Sequence, residues 1–226
     1  MIQEARREGV DQIVIGGDVL PGPMPRETLA YLQALDLPVR FIRGNGESAV
    51  LAERAGIEPG IPEQAREAVR WVASQLNPGH EEFLRDWPAT LRLEIDGIGE
   101  VLFCHATPRS DTEIFTRLTP EDQLLPIFEG AGVPVVVCGH THMRFDRKIG
   151  GVRVVNAGSV GMPFGEPGAD WLLLGPGIEP RHTSYDLDGA AGRIGNTGYP
   201  QAREFAVQYI LNPPSEEKML EVFGRS

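Results

Sequence analysis

The sequence predicts an α/β fold, and three observations lead to that prediction. Short apolar runs alternate with amphipathic segments, which is the pattern of strands and crossover helices. With 226 residues, of which 41% are hydrophobic, the chain can bury one substantial core. A single domain over residues 1–226 therefore fits better than two independent domains. Several apolar runs also end in loops with a polar side chain, which is typical of α/β proteins whose sites lie at strand ends.

The first half of the chain is predicted to hold two strands and two helical regions. Leu29, Leu32 and Leu35 share one side of a helix that has Pro25 near its N-terminus. A longer stretch keeps the i, i+3, i+4, i+7 spacing of an amphipathic helix, and we interpret it as an insertion that flanks the sheet. In order, these elements are a strand at 12–15, a helix at 26–36, a strand at 39–42 and the helical insertion at about 48–87.

The second half is predicted to be richer in strands. A glycine-containing turn at 96–99 joins the first two of them into a hairpin. The tail from Gln201 onward is predicted to be helical and interrupted at Pro213 and Pro214. The predicted strands are 91–95, 101–104, 133–138, 145–149, 152–155, 171–174 and 182–187, with a helix at 120–131 between the second and third.

Charge and composition argue against several classes of function. The formal net charge is -11, so we expect no binding to a nucleic-acid backbone or an anionic membrane. No apolar run approaches the roughly 20 residues of a membrane span, and the charged start is unlike a signal peptide, so we expect a cytoplasmic protein. A small phosphorylated substrate is compatible with the charge, because bound metal ions reverse the local sign. Cys104 and Cys138 lie in apolar runs, which indicates reduced, buried thiols.

Polar side chains follow four of the predicted strands. They are Asp18, Asn45, His105 and the pair His140 and His142. Because the carboxyl ends of parallel strands converge on one crevice, we expect these side chains to meet. Oxygen and imidazole donors suit Mn, Fe, Co, Ni or Zn, and we expect manganese first. A carboxylate such as Asp18 can bridge two cations about 3.5 to 4 Å apart at a phosphoryl centre.

Each of these residues, taken singly, also has a plain structural explanation. An aspartate after two glycines often lies in a turn, and Asn45 between glycines suits a left-handed position. His105 alone is more often a buried, hydrogen-bonded histidine than a ligand, and the two later histidines could lie on an exposed loop. The joint arrangement is what favours a metal site.

Taken together, Gly17-Asp18, Gly44-Asn45, His105 and Gly139-His140-Thr141-His142 resemble the successive motifs of the calcineurin-like metallophosphoesterases. The resemblance covers residues 9 to about 187 and is greatest to the small bacterial and archaeal phosphodiesterases of the diadenosine tetraphosphatase-like group. It implies a layered β-sandwich flanked by helices. It also implies that Asp18 bridges two metals, that Asn45, His105 and His140 complete the second site, and that His142 serves the first. Asp18, Asn45 and His105 are the implied catalytic residues.

The chain departs from this family at two points. The family pattern opens with a strand ending in Asp-x-His, and that motif is absent here. Residues 2–7 are predicted to be the last turns of a helix that stops at Gly9, so a strand is expected before them. We interpret this as a start codon assigned too far downstream or a shortened chain. If the chain begins at Met1, we expect weak or single metal occupancy, and an exposed sheet position that favours a homo-oligomer.

The second departure is Gly46, where many family members carry the histidine that protonates the leaving group. Its absence indicates a substrate with a better leaving group, or protonation from another residue. His80 could approach the cleft, but it is more simply explained as a solvent-facing helix start. Arg109 and Arg144 could neutralise a substrate phosphate, although both are more simply explained as surface arginines.

The resemblance predicts hydrolysis of a phosphomonoester or phosphodiester by a hydroxide held between two metals, without a covalent enzyme intermediate. A noncatalytic interaction or scaffold module on the same fold is the alternative. The absent Asp-x-His and Gly46 favour the scaffold, whereas the five metal-type side chains favour the enzyme.

Overall fold

The computed structural model describes residues 1–224 of the chain. The helices are α1 (Ile2–Arg7), α2 (Pro25–Gln33), α3 (Asn45–Arg54), α4 (Glu63–Gln75), α5 (Pro78–Arg85), α6 (Glu121–Phe128), α7 (Leu187–Gly195), α8 (Ala202–Phe205) and α9 (Glu216–Phe223). The strands are β1 (Ile13–Ile15), β2 (Val39–Phe41), β3 (Thr90–Ile95), β4 (Gly99–Cys104), β5 (Val135–Cys138), β6 (Phe145–Ile149), β7 (Val152–Asn156), β8 (Ala169–Leu174) and β9 (Ile178–Thr183). A short 3₁₀ turn, Glu129–Ala131, extends α6, and a π-helical segment, Ala206–Leu211, extends α8.

A five-stranded sheet with the order β3-β4-β5-β7-β6 forms the centre of the molecule. The three inner strands are parallel. Helix α6 carries the chain over the sheet between β4 and β5, and the edge strand β6 leads back into β7. The edge strands β3 and β6 are antiparallel to their neighbours and are joined to them by tight turns. The carboxyl ends of β4, β5 and β7 therefore lie at the same edge of the sheet.

Alternate side chains of the central strands pack on opposite faces of this sheet. Leu102 and Val136 face α6, where they meet Leu124 and Phe128 in one buried cluster. The opposite face, with Val101 among its residues, packs against apolar residues of two short ribbons. One ribbon is the parallel pair β1-β2 and the other is the antiparallel pair β8-β9. The result is a layered β-sandwich with flanking helices, which confirms the predicted fold class.

Helices α2 to α5 pack together beside the β1-β2 ribbon. Their cluster buries Leu29, Val50 and Val72 completely or nearly so. Trp87 stacks on Phe41 of β2, with ring centroids 4.5 Å apart, and so joins the helices to the ribbon. The amphipathic spacing in this part of the chain correctly predicted helices, although α3 begins at Asn45, three residues before the predicted start at 48.

The largest difference between prediction and structure lies after β8. The predicted strand at 182–187 is wrong in its bounds, since β9 ends at Thr183 and α7 begins at Leu187. The physical reason is the side chain of Asp186, which accepts a hydrogen bond from the backbone N–H of Gly189 at 2.9 Å and caps a helix. Helix α7 then packs on the π-helical segment through Ala190 and Ile194.

The beginning of the chain follows its prediction. Helix α1 is followed by Gly9, which has a φ of 71°. This left-handed conformation is the usual helix stop that glycine provides. Within residues 1–224, no helix combines the length and the apolar character that crossing a membrane requires.

The two cysteines provide a test of the packing of the sheet. Cys104 and Cys138 are 2% and 3% exposed. Burial raises the pKa of the Cys104 thiol to about 12, and burial followed by repulsion from Cys104 raises that of Cys138 well above its usual range. We expect no rapid reaction with Ellman's reagent in the native protein at pH 8, and reaction of both thiols after denaturation. Rapid labelling of native protein would show that these strands open in solution.

Candidate metal centre

The candidate site lies where the loops after β1, β2, β4 and β5 meet. These loops carry Asp18, Asn45, His105 and His140, in that order along the chain. Asp18, His105 and His140 each offer one donor atom, and these atoms all lie within 4.8 Å of one another. The structure therefore brings together side chains that are far apart in the sequence, while their role as metal ligands stays a prediction.

The ring of His105 is at the centre of this cluster. Its Nε2 atom lies 3.2 Å from Oδ2 of Asp18 and 3.2 Å from Nδ1 of His140. The side-chain amide of Asn45 lies 3.0 Å from the same His105 atom. With its nitrogen turned inward, this amide donates to both imidazoles; with its oxygen inward, it presents a metal donor. Four side chains thus direct nitrogen or oxygen atoms at one small region.

Backbone carbonyl groups orient two of the histidines. Nδ1 of His105 lies 2.8 Å from the carbonyl oxygen of Gly16, and Nδ1 of His142 lies 2.9 Å from that of Met162. A carbonyl oxygen only accepts hydrogen bonds, so in the neutral imidazole each Nδ1 carries the proton and each Nε2 has a lone pair. A hydrogen bond of this kind is the usual partner of a metal-binding histidine. The ring of His142 also stacks on Phe164 at 5.3 Å, which fixes its plane.

The electrostatics favour the charge states that metal binding needs. Burial acts to raise the pKa of Asp18, but the hydrogen bond and charge of His105 outweigh it and lower that pKa. Burial, and then repulsion from His105, lowers the pKa of His140 to about 4. Burial also lowers the pKa of His142, despite the attraction of Asp18. At neutral pH the aspartate is therefore ionised and these two imidazoles are neutral, as ligands must be.

His105 behaves differently from the other two histidines. Burial acts to lower the pKa of its imidazole, but the hydrogen bond and the charge of Asp18 outweigh that effect and raise it. A metal ion at the cluster would compete for Nε2 of His105 with the proton of the imidazolium form, because metal binding releases protons from its ligands. His142 is not among these closely spaced donors, although its electrostatic interaction with Asp18 contributes to the lowered pKa of that carboxyl group.

Three of the candidate residues have left-handed backbone conformations. The φ angles are 55° at Asp18, 65° at His140 and 58° at His142. This region is unfavourable for residues other than glycine and costs about 1–3 kcal/mol each. Such strain persists only when surrounding contacts hold the loops in place, and it is concentrated at functional sites.

Two supporting residues were missed by sequence reasoning. Asn156, at the end of β7, donates to the carbonyl oxygen of Gly139 at 2.5 Å and to the hydroxyl of Thr141 at 3.2 Å, and so holds the loop that carries His140. Glu47 is the third residue of α3, and its buried carboxylate accepts hydrogen bonds from the loops after β1 and β2. Its bond from the N–H of the N-cap Gly44 is the one that the third residue of a capping box makes, but glycine has no side chain for the reciprocal bond, so the sequence contains no capping-box motif here.

The other charged residues considered from the sequence have structural partners. Arg109 pairs with Glu113 at 2.5 Å, and Arg144 lies 3.4 Å from the buried carboxylate of Asp170. The backbone N–H of His80 donates to the side chain of Asn77 at the start of α5. This agrees with the interpretation of His80 as a helix start.

Gly46 has no room for a side chain. A Cβ atom at this position would overlap the carbonyl oxygen of Leu20 and would lie 2.8 Å from its carbonyl carbon and 2.9 Å from Cδ of Pro21. The backbone N–H of Gly46 also donates to Oδ1 of Asp18 at 2.7 Å, which keeps the two loops in contact. The carbonyl group of Leu20 therefore occupies the space that a histidine at position 46 would need.

Replacing Gly46 tests this close contact. We expect Gly46→Ala to lower the free energy of unfolding by about 1–3 kcal/mol, because backbone must move to admit the methyl group. Chemical denaturation of the metal-free protein measures the change. Gly192→Ala is the matched control, since Gly192 lies inside α7 with open space around it and should gain helix stability. A Gly46→Ala protein as stable as the wild type would contradict the contact.

Comparison with known proteins agrees with this architecture. The model of the calcineurin-like phosphoesterase superfamily domain matches residues 1–174. A hypothetical protein from Pyrococcus horikoshii OT3 is 20% identical with a TM-score of 0.75, over 95% of this chain and 91% of that one. A metallophosphoesterase from Sphaerobacter thermophilus is 22% identical with a TM-score of 0.67, over 91% of this chain and 92% of that one. No curated protein matches significantly. Since the family match covers well over half of the chain, this protein belongs to the calcineurin-like phosphoesterase superfamily.

Proposed function

We propose that this protein is a metal-dependent hydrolase of a phosphomonoester or phosphodiester. The observation that supports it most is the convergence of Asp18, Asn45, His105 and His140 at the ends of separate strands. Membership of the superfamily supports a phosphoesterase in general, and its members use divalent metals. The proposal includes the substrate class and the attack by a metal-held hydroxide.

The side chains of the cluster fit a divalent transition metal. Asp18, Asn45, His105 and His140 would hold one ion with one carboxylate, one amide oxygen and two imidazoles, which suits manganese and its neighbours. Asp18 and His142 would contribute to a second ion. When bound, the metals supply a nucleophile at neutral pH and neutralise charge on the phosphoryl oxygens.

The chain's own residues prepare the site for this chemistry. The carbonyl groups of Gly16 and Met162 orient the imidazoles of His105 and His142, so that each neutral ring has its proton on Nδ1 and its lone pair on Nε2. Asp18 contributes a negative charge, which offsets part of the charge of the cations. We propose a small phosphorylated substrate, because the net charge of -11 repels anionic polymers while bound cations would attract a phosphate locally. The cytoplasmic location stays a prediction.

Hydrolysis of bis-p-nitrophenyl phosphate with Mn²⁺ tests the proposed activity. We expect Asp18→Ala and His140→Ala to abolish it, because each removes a donor from the cluster. His80→Gln is the control and should keep wild-type activity, since His80 takes part in the hydrogen bonds at the start of α5 and is not among the closely spaced donors. An inactive wild-type protein that folds and binds Mn²⁺ would favour the noncatalytic scaffold instead.

The metal content of the purified protein tests whether the two proposed ions have unequal numbers of ligands. The described residues offer four donors to one ion and only Asp18 and His142 to another. We therefore expect about one tightly bound Mn²⁺ per chain, with any second ion bound more weakly. Mass spectrometry of the metal content after dialysis, followed by titration calorimetry, measures both. Two tightly bound ions per chain would contradict this expectation.

A further inference from the structure

Glu47 is a charged residue that the proposed chemistry does not use. Its side chain is 0% exposed, and it is not among the closely spaced donors of the candidate metal centre. It also has no arginine, lysine or histidine partner among residues 1–224 within ion-pair distance. A carboxylate buried without an ion pair is unfavourable unless hydrogen bonds satisfy its oxygens.

Those hydrogen bonds come from two separate loops. Oε2 of Glu47 accepts from the backbone N–H of Asp18 at 2.8 Å and from that of Gly44 at 2.9 Å. Oε1 accepts from the backbone N–H of Leu20 at 2.9 Å. Asp18 and Leu20 follow β1, whereas Gly44 follows β2, so this one carboxylate joins the two loops.

The connection between the loops runs in both directions. While Glu47 binds the backbone N–H of Asp18, the carboxylate of Asp18 accepts from the backbone N–H of Gly46 at 2.7 Å. The loops also touch directly, since a Cβ atom on Gly17 would lie 2.6 Å from the backbone nitrogen of Gly44. We call this set of contacts around Glu47 the loop clamp.

The loop clamp lies directly behind two of the candidate ligands. Asp18 lies on the first clamped loop, and Asn45 follows Gly44 on the second. Their side chains converge on the same atom of His105, at 3.2 Å and 3.0 Å. The backbone contacts of Glu47 therefore lie immediately behind the two residues that carry these donors.

We propose that Glu47 is a positioning residue that sets the affinity of the metal centre by holding the loops of Asp18 and Asn45 together, without contacting the metal. The inference rests on the proposed function, because it requires a metal at this cluster. Groups that support metal ligands in this way commonly change metal affinity by about 10- to 100-fold when they are replaced.

Glu47→Gln is the main test, because glutamine keeps the shape of the side chain. Its single oxygen can still serve two of the amides, but its NH₂ group then faces the third N–H, donor to donor. We expect the Kd for Mn²⁺, measured by titration calorimetry on folded protein, to rise about 10- to 100-fold.

Val69→Ala is the control for loss of stability. Val69 of α4 is buried in the apolar cluster that also contains Leu20, so the replacement removes packing but none of the hydrogen bonds of the loop clamp. We expect it to lower the thermal midpoint while leaving the Kd for Mn²⁺ within about twofold of the wild type. If Glu47→Gln binds Mn²⁺ as tightly as the wild type, or if Val69→Ala weakens binding equally, the positioning role is wrong. If the wild type itself binds no Mn²⁺, the proposed metal centre is wrong, and so is the positioning role of Glu47.

A measurement on the wild type keeps the test decisive if Glu47→Gln does not fold. In the metal-free protein, the amide protons of Asp18, Leu20 and Gly44 should exchange slowly with solvent, because each is bonded to a buried carboxylate. Exchange of these protons within the dead time of the experiment would overturn the loop clamp. Glu47→Asp, which shortens the side chain by one methylene group, should bind Mn²⁺ more weakly than the wild type.

Discussion

The hydrogen bond between His105 and the carbonyl oxygen of Gly16 joins the two layers of the sandwich at the functional edge. His105 follows β4 of the central sheet, and Gly16 follows β1 of the facing ribbon. The same bond places the proton on Nδ1 and so leaves Nε2 as the atom around which the other candidate ligands gather. Layer packing, histidine orientation and ligand geometry therefore depend on one contact.

The loops around this contact are strained and closely supported. Candidate ligands there have left-handed φ angles, and buried side chains hold their loops. Glu47 in α3 accepts from the backbone N–H of Asp18, and Asn156 at the end of β7 donates to the carbonyl oxygen of Gly139 beside His140. The parallel strands determine where the loops begin, and the supporting side chains determine how far apart they lie. A metal site needs both, because a donor displaced by a fraction of an ångström loses much of its contribution.

The same close packing explains a departure from the family pattern. With the carbonyl group of Leu20 against Gly46, a side chain at that position is sterically excluded rather than simply absent. In the proposed hydrolysis, a side chain at position 46 would therefore not protonate the leaving group. In the proposed function, metal ions at this cluster would also attract an anionic substrate, since the chain is strongly acidic overall.

Local patterns along the chain were sufficient to predict most helices and strands, the layered α/β class and the residues now found near Asp18 and His140. These features follow from side-chain periodicity and from motifs that each occupy a few consecutive residues. The end of β9 was predicted wrongly, because the sequence around Asp186 fits a strand. Only the structure shows the hydrogen bond by which Asp186 caps a helix. The roles of Glu47 and Asn156 depend on contacts between segments distant in the chain. Folding alone creates those contacts, and no spacing in the sequence encodes a distance between two loops.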